Sequence, residues 1–185
     1  DCLLVERFDR RVRPDGTLLR IHQEDFCQAL GVPSERKYQK EGGPSIQDCC
    51  PLVRNTVGRL QAVSDFMRAV IFNVLIHNAD AHSKNFSLLY SGGGGDKAQL
   101  APLYDLVSTR PYPIDRDFAM AIGGVFLPTK IRRKNWELFA ADLGVTPAAV
   151  FAEIQSMADG ILPLASEAQK DLAAQYGEVP IIDDI

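Results

Sequence analysis

The sequence predicts an α+β fold, mainly α, with a small β component. Three observations lead there. Over 56–76, the apolar residues Leu60, Val63, Met67, Val70, Ile71, Val74 and Leu75 recur in steps of three and four, which gives one buried helical face that widens toward its end. From about residue 134 the chain is helical again, with helices expected over 136–143, 147–157 and 161–176. Runs that read as strands are short and fall at 2–8, 17–21, 86–90 and 97–101.

Composition narrows the class. The chain has 185 residues, 46% hydrophobic and 24% charged, with mean hydropathy −0.07, an ordinary globular make-up long enough for a sizeable core. A net charge of −4 and a pI near 5.4 argue against nucleic-acid or membrane-surface binding by bulk electrostatics. No apolar run approaches the ~18 residues of a membrane span, and the first ten residues carry five charges, unlike a signal peptide. Cys2, Cys27, Cys49 and Cys50 show no C-x-x-C spacing. A zinc site is therefore not expected, and reduced thiols fit a cytoplasmic protein. The chain opens on Asp1 inside a strand-like run, which reads as a piece of a longer protein.

The elements follow in order. Strands 2–8 and 17–21 are joined by a turn on Pro14, Asp15 and Gly16. A short helix is expected over 22–30, with Glu24 and Asp25 in its first turn and Gly31 and Pro33 as its stop. The polar segment 34–51, holding Gly42, Gly43 and Pro44, reads as a loop. The long helix 56–76 ends at the most polar stretch of the chain, 77–85. Strands 86–90 and 97–101 make a hairpin with a loose tip, Gly92 to Gly95, which lacks the lysine and helix of a phosphate loop. Thr146 before Pro147 is a good helix N-cap with proline at the first helical position. Trp136 and Phe139 read as core, and Lys130, Arg132, Arg133 and Lys134 as a solvated turn before a helix with some capacity to touch a partner. Residues 178–185 read as an acidic tail.

The chemistry concentrates at Asp80, Asn85 and Asp105. An antiparallel hairpin returns its end within about 5 Å of its beginning. Asp105, just past the second strand, is therefore expected beside Asn85, just before the first. Two oxygen ligands on neighbouring loops with a free carboxylate nearby suit magnesium, which takes few protein oxygens and leaves room for water and phosphate. Two plainer readings compete. His77, Asp80 and His82 could hold a transition metal, but only His22 remains as a further histidine and no strong fourth ligand is apparent. Asp80 alone could merely bond backbone after a helix.

Asp-x-x-x-x-Asn, a hairpin and a second Asp is the order of the catalytic and metal loops of protein kinases. The spelling Asn78-x-Asp80-x-His82-x-Lys84-Asn85-Phe86 with Leu103-Tyr104-Asp105-Leu106 resembles specifically the HipA family of bacterial serine/threonine kinases, the toxins of toxin–antitoxin modules linked to persistence. Val5-Glu6-Arg7-Phe8-Asp9-Arg10 resembles the family's hinge, and Gln23 to Gln28 and Lys37-Tyr38 through Gly42-Gly43-Pro44 resemble two further family blocks. The match thins after about residue 125.

The resemblance implies the C-terminal lobe of a protein-kinase-like fold. Its parts would be a hinge strand and hairpin over 1–21, a helical lobe over 22–177 with a catalytic loop at 77–85 and a metal loop at 102–107, and a tail over 178–185. It implies ATP and magnesium as cofactors, Asp80 and Lys84 as catalytic residues, Asn85 and Asp105 as metal ligands, and Glu6, Phe8 and His82 as nucleotide-binding residues. Nothing corresponds to the nucleotide loop or the phosphate-binding lysine of the N-terminal lobe, so the chain alone is expected to be inactive. Implied partners are a protein substrate of the translation machinery, such as an aminoacyl-tRNA synthetase, and a small helix-turn-helix antitoxin through which DNA is met. The alternative is a non-catalytic lobe that only engages that antitoxin. The presence of all three of Asp80, Asn85 and Asp105 disfavours a pseudokinase.

Overall fold

The computed structural model describes residues 5–90, 98–113 and 116–177. It is a mixed, mainly helical fold. β1 (Arg10–Val12) and β2 (Leu18–Arg20) form an antiparallel hairpin in the register Arg10 with Arg20 and Val12 with Leu18. Its turn uses Gly16 at φ +81° and the Asp15 carboxylate, which accepts from the Thr17 N–H and hydroxyl. Residues 5–8 are not strand, contrary to expectation: β1 starts only at Arg10, where pairing with β2 begins, and Asp9 ahead of it is engaged by Arg7 and Arg10. Residues 1–4, the hairpin tip over 91–97 and the tail 178–185 lie outside the described residues.

A second antiparallel sheet orders β3 (His22–Asp25), β4 (Ser87–Tyr90) and β5 (Gln99–Leu100). The helix expected over 22–30 is therefore a strand followed by the short α1 (Phe26–Ala29). Pairing with β4, from His22 opposite Tyr90 to Asp25 opposite Ser87, wins the first half. Asp25 turns out to be the N-cap of α1, accepting from the Gln28 N–H.

The segment 34–51, expected as loop, holds two 3₁₀ turns (Ser34–Arg36 and Gln39–Glu41) and most of α2 (Ile46–Arg54). The start signal of α2 is Ser45 with Asp48 three residues on, which cap one another reciprocally. The signal stands directly behind Gly-Gly-Pro, whose loop character masks it.

α3 (Arg59–Leu75) is the central helix, with Phe66, Ala69, Val70 and Ile71 buried. It packs on α2 through Cys49, Cys50 and Val53, and shares the core with Phe139, Ala140 and Leu143 of α4 (Arg133–Leu143) and Val150 of α5 (Pro147–Tyr176). Cys27, Cys49 and Cys50 are buried free thiols. Burial pushes the Cys50 thiol up to about 12 and raises that of Cys49 well above the usual thiol range. α5 runs unbroken through the gap expected at 158–160 and past Pro163, and beyond Ile161 its residues are exposed. The basic cluster before α4 is a solvated turn: Arg132 donates to the Thr129 and Ile131 carbonyls, and Arg133 pairs with Glu137.

Three rings set the position of the polar loop 77–85. Phe26, Phe66 and Phe86 meet with centroids 4.9–6.0 Å apart. The loop leaves the buried end of α3 and must return at buried Phe86. Its two ends are therefore fixed by the core. Within it Asn78, His82, Ser83 and Asn85 are buried, while Asp80 and Lys84 are half-buried.

Candidate active site

At the end of α3 the chain turns through His77, a non-glycine residue at φ +58°. Asn78 then bonds back to the helix, N–H to the Asn73 carbonyl at 2.8 Å and Nδ2 to Asn73 Oδ1 at 3.0 Å. The Ala79 N–H donates to Thr109 Oγ1 at 2.9 Å, and the Thr109 hydroxyl donates to the His77 carbonyl at 2.8 Å. The Ala119 N–H donates to the Ala79 carbonyl at 3.0 Å. These bonds tie three chain segments together just ahead of Asp80, which emerges into a cleft of about 490 Å³ shared with Tyr38, Asp105, Thr109 and Phe118.

The Asp80 side chain is 42% exposed. Its Oδ1 accepts the Tyr38 hydroxyl at 2.7 Å, and its Oδ2 lies 4.0 Å from His82 Nε2. Burial, helped by nearby Lys37, holds the His82 imidazole below its ordinary pKa. It is therefore neutral at pH 7, and the contact with Asp80 is polar rather than an ion pair. Among the described residues, the buried side-chain atoms without a hydrogen-bond partner are His77 Nε2, Asn78 Oδ1 and His82 Nδ1, all in this one loop. Buried polar groups of this kind are usually satisfied by protein or by ordered water.

Asn85 ends a 3₁₀ turn (Ser83–Asn85). Its Oδ1 accepts the His82 N–H at 3.0 Å and its Nδ2 donates to Asp105 Oδ2 at 2.5 Å. The β4–β5 hairpin makes the pairing, with the Ala101 N–H donating to the Ser87 carbonyl. Asp105 is exposed and holds φ +59°. Asn78 Nδ2 donates to its carbonyl at 3.0 Å. Tyr104 fixes the same turn from behind, donating to the Lys84 carbonyl at 2.6 Å beside Ser87 Oγ at 2.7 Å. The structure thus brings Asn85 against Asp105, and Asp105 into the cleft of Asp80. Asn85 Oδ1 keeps a second lone pair and the Asp105 carboxylate faces solvent, so the pair offers hard oxygens of the kind magnesium takes. Among the described residues no three His, Cys, Asp or Glu side chains form a metal-holding group. His77, Asp80 and His82 do not make the transition-metal site weighed above.

Lys84, Glu6 and Phe8 lie elsewhere. Lys84 lines a neighbouring cleft with Asp25, Gln28 and Tyr104, and Glu6 and Phe8 line a third with Gln23 and Tyr104. Phe8 stacks on Tyr104 with centroids 6.1 Å apart. Tyr104 is thus common to both outer clefts, one residue from Asp105. Lys40 lines the cleft of Asp80, and Lys37 interacts with the Asp80 charge, its Nζ 4.8 Å from the centroid of the Tyr38 ring. Burial lowers the Lys37 ammonium, but the Tyr38 hydroxyl and the charges of Asp80 and Asp105 outweigh it and leave its pKa raised. Tyr38, Lys37, Asn78 and Thr109 had no assigned part in the sequence reading. Lys37 and Tyr38 stood in one of the quoted blocks, while Thr109 carries no local signal.

Residues 1–163 match the HipA-like C-terminal domain family. The chain is 43% identical over 94% of its length to Y4mE of Sinorhizobium fredii, a kinase by name, of which it covers 41%. It is 32% identical over 95% of its length to the serine/threonine-protein kinase toxin HipA of Shewanella oneidensis, of which it covers 45%. It therefore spans less than half of these relatives. Among solved structures, HipA of Shewanella oneidensis MR-1 in a complex with HipB and operator DNA superposes with a TM-score of 0.72 at 31% identity, over 85% of this chain and 41% of that one.

Proposed function

The chain belongs to the HipA-like C-terminal domain family, and from that premise we propose that it is the C-terminal lobe of an ATP-dependent protein serine/threonine kinase. The observation that carries the proposal is that Asp80 and Asp105 line one cleft, with Asn85 bonded to Asp105, in kinase order along the chain.

In this reading Asp80 orients a serine or threonine hydroxyl of the protein substrate. As the hydroxyl oxygen bonds to the γ-phosphorus of ATP, the bond from that phosphorus to the β,γ-bridging oxygen breaks, ADP leaves, and the hydroxyl proton passes to the Asp80 carboxylate. Asn85 and Asp105 would hold magnesium, which when bound neutralises phosphate charge. Glu6, Phe8 and Tyr104 line the side where the base would lie, next to the hinge segment. His82, neutral beside Asp80, can donate to a phosphate oxygen without adding charge. Lys84 lines a neighbouring cleft rather than that of Asp80, and in this reading Lys37, which interacts with the Asp80 charge, is the cation that meets the transferring group.

The test is phosphorylation of a protein substrate by the longer protein that carries this chain with an N-terminal lobe. Magnesium-dependent appearance of phosphoserine or phosphothreonine, lost in Asp105→Ala, supports the reading. Equal labelling by parent and Asp105→Ala contradicts it.

One observation favours a second, compatible role: the solved HipA relative was captured with HipB and operator DNA. A lobe that binds a DNA-binding antitoxin would co-purify with the antitoxin and retain it in Asp80→Asn, because docking does not use the carboxylate.

A further inference from the structure

We propose that Tyr38 is a positioning residue for phosphoryl transfer: its hydroxyl fixes the Asp80 carboxylate through Oδ1 and so presents Oδ2 to the acceptor hydroxyl. The inference rests on the kinase reading and deepens it.

Asp80 follows a helix end and is partly exposed, and rotation about the terminal bond of an Asp side chain is soft. Among the described residues, Tyr38 is the side chain that hydrogen-bonds to this carboxylate, at 2.7 Å and across 42 residues of sequence. Among the described residues no other side chain donates a hydrogen bond to it. His82 Nε2, at 4.0 Å, is beyond hydrogen-bond reach.

Tyr38 in turn is rigidly mounted. The N–H groups of Glu41 and Gly43 both donate to its carbonyl at 2.9 Å, and the next residue, Gln39, donates its N–H to the Ala119 carbonyl while its Oε1 accepts from the Ala121 N–H. Gly43 closes so tightly on this turn that a Cβ there would lie 2.3 Å from the Arg36 carbonyl oxygen and 2.8 Å from that of Tyr38. Lys37 Nζ lies 4.8 Å from the ring centroid, and the His82 imidazole meets the ring in a T-shaped contact with centroids 5.6 Å apart. Burial and the hydrogen bond to Asp80 keep the phenol protonated, so it acts only as a donor to the carboxylate. A rigid donor on one oxygen leaves the other free at a fixed place, which is what an acceptor hydroxyl needs for in-line attack.

The experiment compares Tyr38→Phe, Tyr38→Ala, Asp80→Asn and the Tyr38→Phe/Asp80→Asn double variant in the longer protein, by steady-state and single-turnover phosphoryl transfer. Tyr38→Phe keeps the ring, its contact with Lys37 and its packing on His82, and circular dichroism verifies its fold. Its expected kcat is about 10–100-fold below the parent, with KM for ATP unchanged. Because Tyr38 acts through Asp80, Tyr38→Phe should cause no further loss in the Asp80→Asn background. A merely structural role predicts the opposite pattern, with Phe near parental and only Ala defective. Parental kcat in Tyr38→Phe beside a crippled Asp80→Asn, or full additivity in the double variant, overturns the inference and leaves the kinase reading standing. No Asp80-dependent transfer in the parent would sink the kinase reading itself, and this inference with it.

Discussion

Asn78 joins the end of the central helix to the loop of Asp105. Its Nδ2 donates at 3.0 Å both to Asn73 Oδ1 within the helix end and to the Asp105 carbonyl, and the residue is only 2% exposed. Asp105 holds φ +59°, a conformation that costs a non-glycine residue about 1–3 kcal/mol and persists only where neighbours enforce it. Asn78 is one of the neighbours that do so here, with Tyr104 and Asn85. It couples the buried helix to the backbone that aims the Asp105 carboxylate at Asn85.

Asn78→Ala should therefore weaken both fold and site. Leaving the Asn73 amide oxygen unpaired at a buried position should cost about 1–3 kcal/mol of stability, read by urea unfolding of the chain. In the longer protein the freed Asp105 loop should raise the magnesium concentration needed for half-maximal transfer. An unchanged magnesium requirement would show that the loop holds its shape without Asn78.

Asn85→Ala and Asp105→Ala should differ from Asp80→Asn in their response to magnesium. The first two remove metal ligands, so saturating magnesium should partly restore transfer. Asp80→Asn removes the carboxylate that meets the acceptor, and no concentration of magnesium should restore it. Rates measured across a magnesium titration separate the two classes. Indistinguishable curves would dissolve the distinction between ligand and base.

Parts of this molecule were legible before any coordinates. α3 was readable because seventeen residues of three-and-four spacing leave little room for another element. The Asn85–Asp105 contact was readable because a hairpin's ends must meet. β3 was not, because His-Gln-Glu-Asp has no alternation of its own and becomes a strand by pairing with Ser87–Tyr90. α2 hid behind Gly-Gly-Pro. At the site, Lys84 is near Asp80 in sequence yet lines a neighbouring cleft, while Lys37 comes from a distant loop to interact with the Asp80 charge. Tyr38 could not be placed for the same reason: no periodicity links residue 38 to residue 80.

Two glycines should respond in opposite directions to alanine. At Gly43 the added Cβ meets Arg36, Lys37 and Tyr38 backbone atoms at 2.3–2.8 Å. Gly43→Ala should lose stability and, by displacing Tyr38, transfer activity. At Gly160, inside α5, a Cβ meets nothing within 4 Å. Gly160→Ala should gain up to about 1 kcal/mol from helix propensity. Thermal unfolding of the two variants side by side checks both signs, and a destabilised Gly160→Ala would mean that the helix bends there.

Asp9 should impose a pH dependence on stability. Its hydrogen bond from Arg7, with Arg10 beside it, holds the carboxyl down at about 2, below its unfolded value of about 3.9. The unfolded chain thus takes up this proton first as pH falls. The stabilisation is fully present above about pH 4 and is lost as pH drops toward 2. Urea unfolding from pH 5 to pH 2 should show the difference between parent and Asp9→Asn shrinking over that window. A constant difference would mean that the ion pairs are not formed in solution.

The most direct test of the central claim is the rate of phosphoryl transfer by the longer protein carrying Asp80→Asn, measured beside its ATP binding. The substitution is nearly isosteric and leaves Asn85 and Asp105 in place, so fold and ATP affinity should match the parent. Transfer to serine or threonine should fall by about 10²–10⁴, the range for a lost general base and positioning group. Transfer at the parental rate with ATP binding intact would contradict the assignment of Asp80, and with it the reading of this cleft as a kinase active site.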